Sequence, residues 1–255
     1  MLRVITANLN GIRSAAKKGF FDWFGAQNAD VLCVQEIKCS QDDMTPEFLA
    51  PHHFKGYFQH AVKKGYSGAG VYTCHEPDDV LIGFGSDEFD PEGRYVEARF
   101  GKLSVVSVYV PSGSSGDERQ AAKYRFMDAF MPHLAELKRE RQVIVCGDVN
   151  IVHKEIYIKN WKGNQKNSGC LPEERAWLDL LFHQRGWVDS FRAIKPDAVE
   201  YTWWSNRGRA RENNVGWRID YQVVTPGLRE RLKSCSIYRD QRFSDHAPYT
   251  VDYAE

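Results

Sequence analysis

The chain is predicted to be an α/β protein in which one sheet packs on another and helices cover the outside. Three observations predict it. Short β-branched runs alternate with longer helical patterns, both hairpin and crossover spacings occur between them, and no linker, repeat or low-complexity segment divides them. With 255 residues, 42% of them hydrophobic, a single domain over residues 1–255 has enough apolar side chain for a sizeable core.

The elements follow in chain order. Residues 2–7 read as a buried strand. Residues 13–27 read as one amphipathic helix whose apolar side is Phe20, Phe21, Trp23 and Phe24. Residues 30–35, 70–73, 95–100 and 103–109 read as further strands, the last two joined by a hairpin at Phe100-Gly101-Lys102-Leu103. The longest helical pattern covers 117–141, where Tyr124, Met127, Phe130, Met131, Leu134 and Leu137 recur at helical spacing. Residues 143–146 form a strand running into Gly147-Asp148. A helix at 173–184 follows Pro172, and strands at 219–224 and 249–253 close the chain.

Composition narrows the function. Lys plus Arg number 34 and Asp plus Glu number 34, so the chain is not a uniformly basic nucleic-acid binder. A local basic face is still allowed, because charge is felt only within a Debye length of about 8–10 Å. The six cysteines (Cys33, Cys39, Cys74, Cys146, Cys170 and Cys235) contain no C-x-x-C pair, and several sit in apolar runs. They read as small buried hydrophobes in a reducing cytosol, not as a zinc or redox motif. The opening residues lack a secretory signal and no long apolar run is present, so a cytoplasmic protein without a membrane span is expected.

The polar residues that carry chemistry fall at strand ends. Asn8 and Asn10 follow the first strand and Glu36 the second. Tyr109 ends a later one, Asp148 and Asn150 follow residues 143–146, Asp220 adjoins Ile219, and Asp245-His246 precedes the last strand. Any one of them alone is an ordinary turn former or helix cap. Together on one sheet edge they describe a site. Carboxylates without cysteine clusters suit a hard cation such as Mg²⁺. In Gly147-Asp148-Val149-Asn150 the acid and the amide are two apart, so on extended backbone they point to the same side.

The strings TANLNGIR, VLCVQEIK, KGYSGAGVY, VSVYVPSG, VCGDVNIVH, YTWWSNR, NVGWRIDY and FSDHAP run from residue 6 to 248. They resemble the exonuclease III family of abasic-site endonucleases, within the wider endonuclease/exonuclease/phosphatase superfamily. The resemblance implies a four-layer α/β sandwich, two packed mixed β-sheets flanked by helices, with the site at one rim. It implies that Glu36 is the principal carboxylate for Mg²⁺ (Mn²⁺ as substitute), with Asn8, Asn10 and Asp245 at the metal end. Asp148 would orient or deprotonate the attacking water, assisted by Asn150. His246, paired with Asp220, would contact the scissile phosphate, and Tyr109 would lie close to it. Trp203, Trp217 and Ile219 match a pocket for a flipped-out abasic sugar, and small residues at Lys166-Asn167-Ser168-Gly169 border it.

Arg207 falls where relatives insert a side chain into the double helix. Ser112, Tyr66 and Lys38 complete the substrate- and DNA-contacting set. Lys63-Lys64, the Lys159 to Lys166 stretch, Arg209 and Arg211 would touch the backbone. The implied function is base-excision repair: a monomer that cuts double-stranded DNA 5′ to abasic sites and processes blocked 3′ ends. Two positions depart from the family pattern. Ser112 stands where many members carry Asn, and Tyr157 where Asp is expected, close to the Asp148–Asn150 loop. The pattern is also similar to the catabolite-repression-control proteins, RNA-binding regulators whose catalytic set is eroded. Here Glu36, Asp148, Asn150, Asp220, Asp245 and His246 are all present.

Overall fold

The computed structural model describes residues 1–254. The chain starts with β1 (Leu2–Asn8), α1 (Ile12–Lys17), α2 (Phe20–Gly25) and β2 (Val31–Gln35). Next come α3 (Pro46–Leu49), β3 (Lys55–Gln59), β4 (Ala69–Thr73) and β5 (Asp79–Ile82). β6 (Tyr95–Phe100), β7 (Leu103–Tyr109), α4 (Asp117–Glu140) and β8 (Gln142–Asp148) form the middle. The remainder is α5 (Trp161–Asn164), α6 (Pro172–Asp179), β9 (Val188–Asp189), α7 (Ser190–Ile194), β10 (Trp203–Trp204), β11 (Gly216–Trp217), β12 (Asp220–Val224), β13 (Leu232–Ile237) and β14 (Tyr249–Tyr253).

Two six-stranded mixed sheets result, ordered β13-β14-β1-β2-β4-β3 and β5-β6-β7-β8-β12-β9. Their inner faces share one apolar cluster. Val4, Val31, Cys33 and Val71 of the first sheet meet Val96, Val105, Ile144 and Val224 of the second. Outside the first sheet, α1 and α2 bury Ile12, Phe20 and Phe24. Outside the second, α4 buries Phe126, Phe130 and Leu134 beside Leu178 of α6. The expected α/β/β/α layering is therefore present.

Strand direction gathers the polar ends. β1 pairs parallel with β2, and β7 with β8, so their C-terminal ends share a side. β12 runs antiparallel to β8 with Asp220 opposite Asp148, and β14 runs antiparallel to β1. The N-terminal ends of β12 and β14 thus reach the same rim. Asp220 opens its strand where the other groups end theirs.

Three elements differ from the sequence expectation. The single helix at 13–27 is two helices, because Gly19 takes a left-handed φ of 84° between them. The helix expected at 173–184 runs as α6 to Asp179 and continues as one π-helical turn, Leu180–Gln184. The strand expected at 143–146 extends to Asp148, so that acid is held by ladder hydrogen bonds rather than by a loop. No C-x-x-C-like pairing emerges: all six cysteines are free and five are buried. Among the described residues no helix is long and apolar enough to cross a membrane.

Candidate active site

The two sheets meet at the rim through side chains. Asn8, at the end of β1, donates through Nδ2 to Glu36 Oε1 (2.8 Å) and to Asp148 Oδ2 (2.9 Å). His246 is buried; its Nδ1 lies 2.9 Å from Asp220 Oδ2, and Nε2 faces Asp148 Oδ2 at 3.7 Å. The Asp220 partner fixes the N–H on Nδ1 and turns Nε2 into the site. Glu36, Asp148 and His246 each offer a ligand atom within 4.8 Å of the others. Asp245 joins through Asn10, whose Nδ2 donates to Asp245 Oδ1 at 2.9 Å. Asp245 also accepts from Trp203 Nε1 at 3.0 Å.

The backbone is bent to bring these groups in. Asn10, Glu36, Lys38 and Asn150 all hold left-handed φ angles of 44°, 49°, 48° and 55°. Such non-glycine residues carry strain of about 1–3 kcal/mol each and persist where the surroundings over-determine them. The surroundings here are hydrogen bonds: Leu9 N donates to Gln35 O, Gly11 N to Glu36 O and Lys38 N to Ser67 O. The Asn150 backbone N–H donates to Asp148 Oδ1 (2.9 Å) and its amide to Val110 O (2.9 Å).

Electrostatics follow from burial and neighbours. Burial raises the Asp148 pKa well above the carboxylate range; His246 opposes the shift, and Asp220 and Glu36 add to it. Burial works against a charged His246, but Asp220, Asp148 and Asp245 outweigh it and raise its pKa. Asp245 goes the other way. Burial would raise it, yet His246, Trp203 and Asn10 hold it lowered. Tyr109 remains a neutral phenol, because burial and then the Glu36 and Asp148 charges push its pKa up.

Beside these groups lies a cavity of about 230 Å³. Trp203, Trp217, Ile219, Tyr109, Ser112 and Ser168 line it together with Glu36, Asp148, Asp245 and His246. The two indoles meet edge to face at 5.6 Å and 84°. β10 positions Trp203 by pairing with β11 and by the bonds Trp204 N to Asp245 O and Ala247 N to Thr202 O.

Several of the residues expected to contact substrate or DNA have partners within the protein. The Lys38 ammonium binds Glu36 Oε2 (2.9 Å) and Asn10 Oδ1 (2.5 Å), within the acidic set. The Tyr66 hydroxyl accepts from Arg94 (2.8 Å) and Arg119 (3.0 Å). Ser112 Oγ pairs with Ser114 Oγ at 2.9 Å on the cavity wall. Arg209 is tied to Glu212, and Arg211 stacks on Trp204 at 4.9 Å, whereas the exposed Arg207 guanidinium has no partner among the described residues. Tyr157 lies away from the rim chemistry. It is buried, its ring 4.0 Å from the Arg218 guanidinium and its hydroxyl 3.3 Å from Asp189 Oδ2.

Three positioning residues had not been singled out from the sequence. Arg94 is buried; it donates to Tyr109 O at 2.9 Å and lies 4.8 Å over the Tyr109 ring. Lys123 and Glu174 form a fully buried ion pair at 2.6 Å. Lys123 also donates to Asn150 O (2.7 Å), and Glu174 accepts from Gly169 N (2.6 Å) and Leu171 N (3.0 Å). One pair thus ties the turn at Asn150, just past β8, to the Gly169–Leu171 segment. The only signal for it was a Lys inside an apolar helical face.

A rim of clustered carboxylates, an imidazole held by a carboxylate and an adjoining aromatic cavity on a two-sheet sandwich defines a hydrolase of phosphoesters. The chain belongs to the Endonuclease/Exonuclease/phosphatase family, matching it over residues 5–246. It is 39% identical to an exodeoxyribonuclease of Bacillus subtilis, covering 97% of each chain. It is 37% identical to the DNA repair nuclease APEX1 of Danio rerio, over 98% of this chain and 81% of that one. Among solved structures, an AP endonuclease from Archaeoglobus fulgidus superposes with a TM-score of 0.89 at 27% identity, over 99% of both chains.

Proposed function

We propose that this protein is a divalent-cation-dependent DNA phosphodiesterase of base-excision repair, which incises the backbone 5′ to abasic sites and processes blocked 3′ ends. One observation carries the reading: the Asp148–His246–Asp220 row and Glu36 sit directly beside a cavity sized for a sugar without its base. Relatives matched over nearly the whole chain are named an exodeoxyribonuclease and a DNA repair nuclease, which supports the reading. The intact catalytic row weighs against a regulator that only binds RNA.

The donor set fits a hard cation. Glu36 and Asp245 supply carboxylates and Asn10 an amide oxygen, and the Lys38 ammonium already bridges Glu36 and Asn10, so this spot accommodates positive charge. Mg²⁺ is the ion we assign; when bound it supplies Lewis-acid charge at a phosphoryl oxygen. The protein's own groups do the rest. Asp148, with its raised pKa, holds the attacking water and takes its proton near neutral pH. His246, kept cationic by Asp220, places a charged donor where the phosphoryl oxygens gain negative charge. Tyr109 offers a neutral hydroxyl beside Glu36 and Asp148. Trp203, Trp217 and Ile219 line the cavity that we assign to the sugar, and a nucleotide lacking its base costs least to flip into it.

The test is incubation of a duplex carrying one abasic analogue with the folded protein, with and without EDTA. We expect Mg²⁺-dependent incision that leaves a 3′-hydroxyl. Incision that survives complete chelation, or none with metal restored, refutes the proposal.

A further inference from the structure

A second cluster of ligating side chains lies outside the reaction site. His153, Asp179 and His183 each bring one donor atom within 4.8 Å of the others. His153 Nε2 is 2.8 Å and His183 Nε2 3.6 Å from the same oxygen, Asp179 Oδ1. Around a tetrahedral ion with bonds of about 2.0–2.1 Å, neighbouring donors stand roughly 3.4 Å apart. The His183 separation already matches, and the His153 separation needs to open by a fraction of an ångström. Asp179 and His183 are 43% and 68% exposed, so both have room to adjust, while the buried His153 is the fixed member.

Two further features favour a ligand over a simple surface pair. His183 lies on the single π-helical turn, Leu180–Gln184, and such turns recur at functional sites. Both histidines line one cavity of about 380 Å³, so an ion can reach them from solvent. The competing group is Lys154, whose Nζ lies 2.6 Å from Asp179 Oδ1; it is 51% exposed and can swing into solvent when an ion takes its place.

We propose that His153, Asp179 and His183 form a second cation site, distinct from the Glu36–Asp148–His246 rim, that takes an ion of the Zn²⁺ class. Two nitrogen donors with one carboxylate select Zn²⁺ over Mg²⁺. Occupation clamps the chain just after Asn150 to the end of α6, because His153 follows that loop and His183 sits on the turn continuing α6.

The experiment is Zn²⁺ titration of chelator-stripped full-length protein by calorimetry in excess Mg²⁺, with Co²⁺ absorption as a spectroscopic readout. Wild type is expected to bind one Zn²⁺ that Mg²⁺ does not displace, and to give the visible bands of four-coordinate Co²⁺. His183→Ala and Asp179→Asn should each weaken that binding by roughly tenfold or more, while Glu36→Gln retains it. His183 is exposed, so its variant should melt like the metal-free wild type and incise DNA in Mg²⁺ at the wild-type rate. Zn²⁺ binding that Mg²⁺ abolishes, that His183→Ala leaves intact, or that Glu36→Gln removes would overturn the proposal.

Discussion

At the scale of single residues the site is a chain of paired charges, and its most informative pair is His246 with Asp220. Asp220 is the largest influence favouring a charged His246; burial works against that charge. Asp220→Asn keeps the burial and removes the carboxylate, so the imidazolium loses its proton at lower pH. The alkaline limb of the kcat profile, measured at saturating Mg²⁺, should move down by about one unit or more. An unmoved limb would reduce Asp220 to a structural role. His246→Ala and Asp148→Ala should each lower kcat by roughly a thousandfold with DNA binding largely kept; near-normal turnover in either removes that residue from the reaction. The placement of Glu36, Asp148, Asp245 and His246 beside strand ends was legible in the sequence. The left-handed φ angles of Asn10, Glu36, Lys38 and Asn150 were not. Nothing in their identities demands that conformation, which is imposed by hydrogen bonds from segments distant in sequence.

At the scale of elements, position in the sheet decided which strands could be read. β3, β13, β5 and β9 are the four edge strands, and none of them was predicted. Edge strands lack the continuous buried run: β5 has no fully buried residue, and β13 alternates irregularly between exposed and buried positions. The interior strands, buried on both faces, were all visible. The α4–α6 contact shows the opposite problem, since the partner of Lys123 lies 51 residues away at Glu174 and no local pattern joins them. Glu174→Ala leaves a buried ammonium without its carboxylate and frees the Gly169 and Leu171 N–H groups. The expected cost is about 3–5 kcal/mol, or roughly 10 °C in Tm for a chain of this size, read by thermal and urea melts. A melt within a degree or two of wild type would mean the pair is not what holds the loop.

At the scale of the whole molecule, balanced charge coexists with recognition of a polyanion. The net charge is zero, so affinity must come from a few placed cations. Of the three arginines at 207, 209 and 211, only Arg207 is uncommitted, as Arg209 and Arg211 are spent on Glu212 and Trp204. Arg207→Ala should therefore weaken duplex binding and lower the slope of log K against log salt by about one. The same slope in wild type and variant would show that Arg207 does not reach a phosphate. The layered architecture was legible as a whole, because it follows from alternating strand and helix patterns. The division of labour between the sheets was not. Asn8 and the end of β2 that precedes Glu36 belong to one sheet, Tyr109, Asp148 and Asp220 to the other, and among the described residues no backbone ladder joins the two. They are linked by side chains alone, such as Gln35 to Ser107 (3.0 Å) and Gln222 to Val4 O (2.9 Å). Catalytic alignment therefore depends on how two plates are bolted face to face. A slip along that seam of about 1 Å would cost roughly a hundredfold in rate while leaving every strand intact.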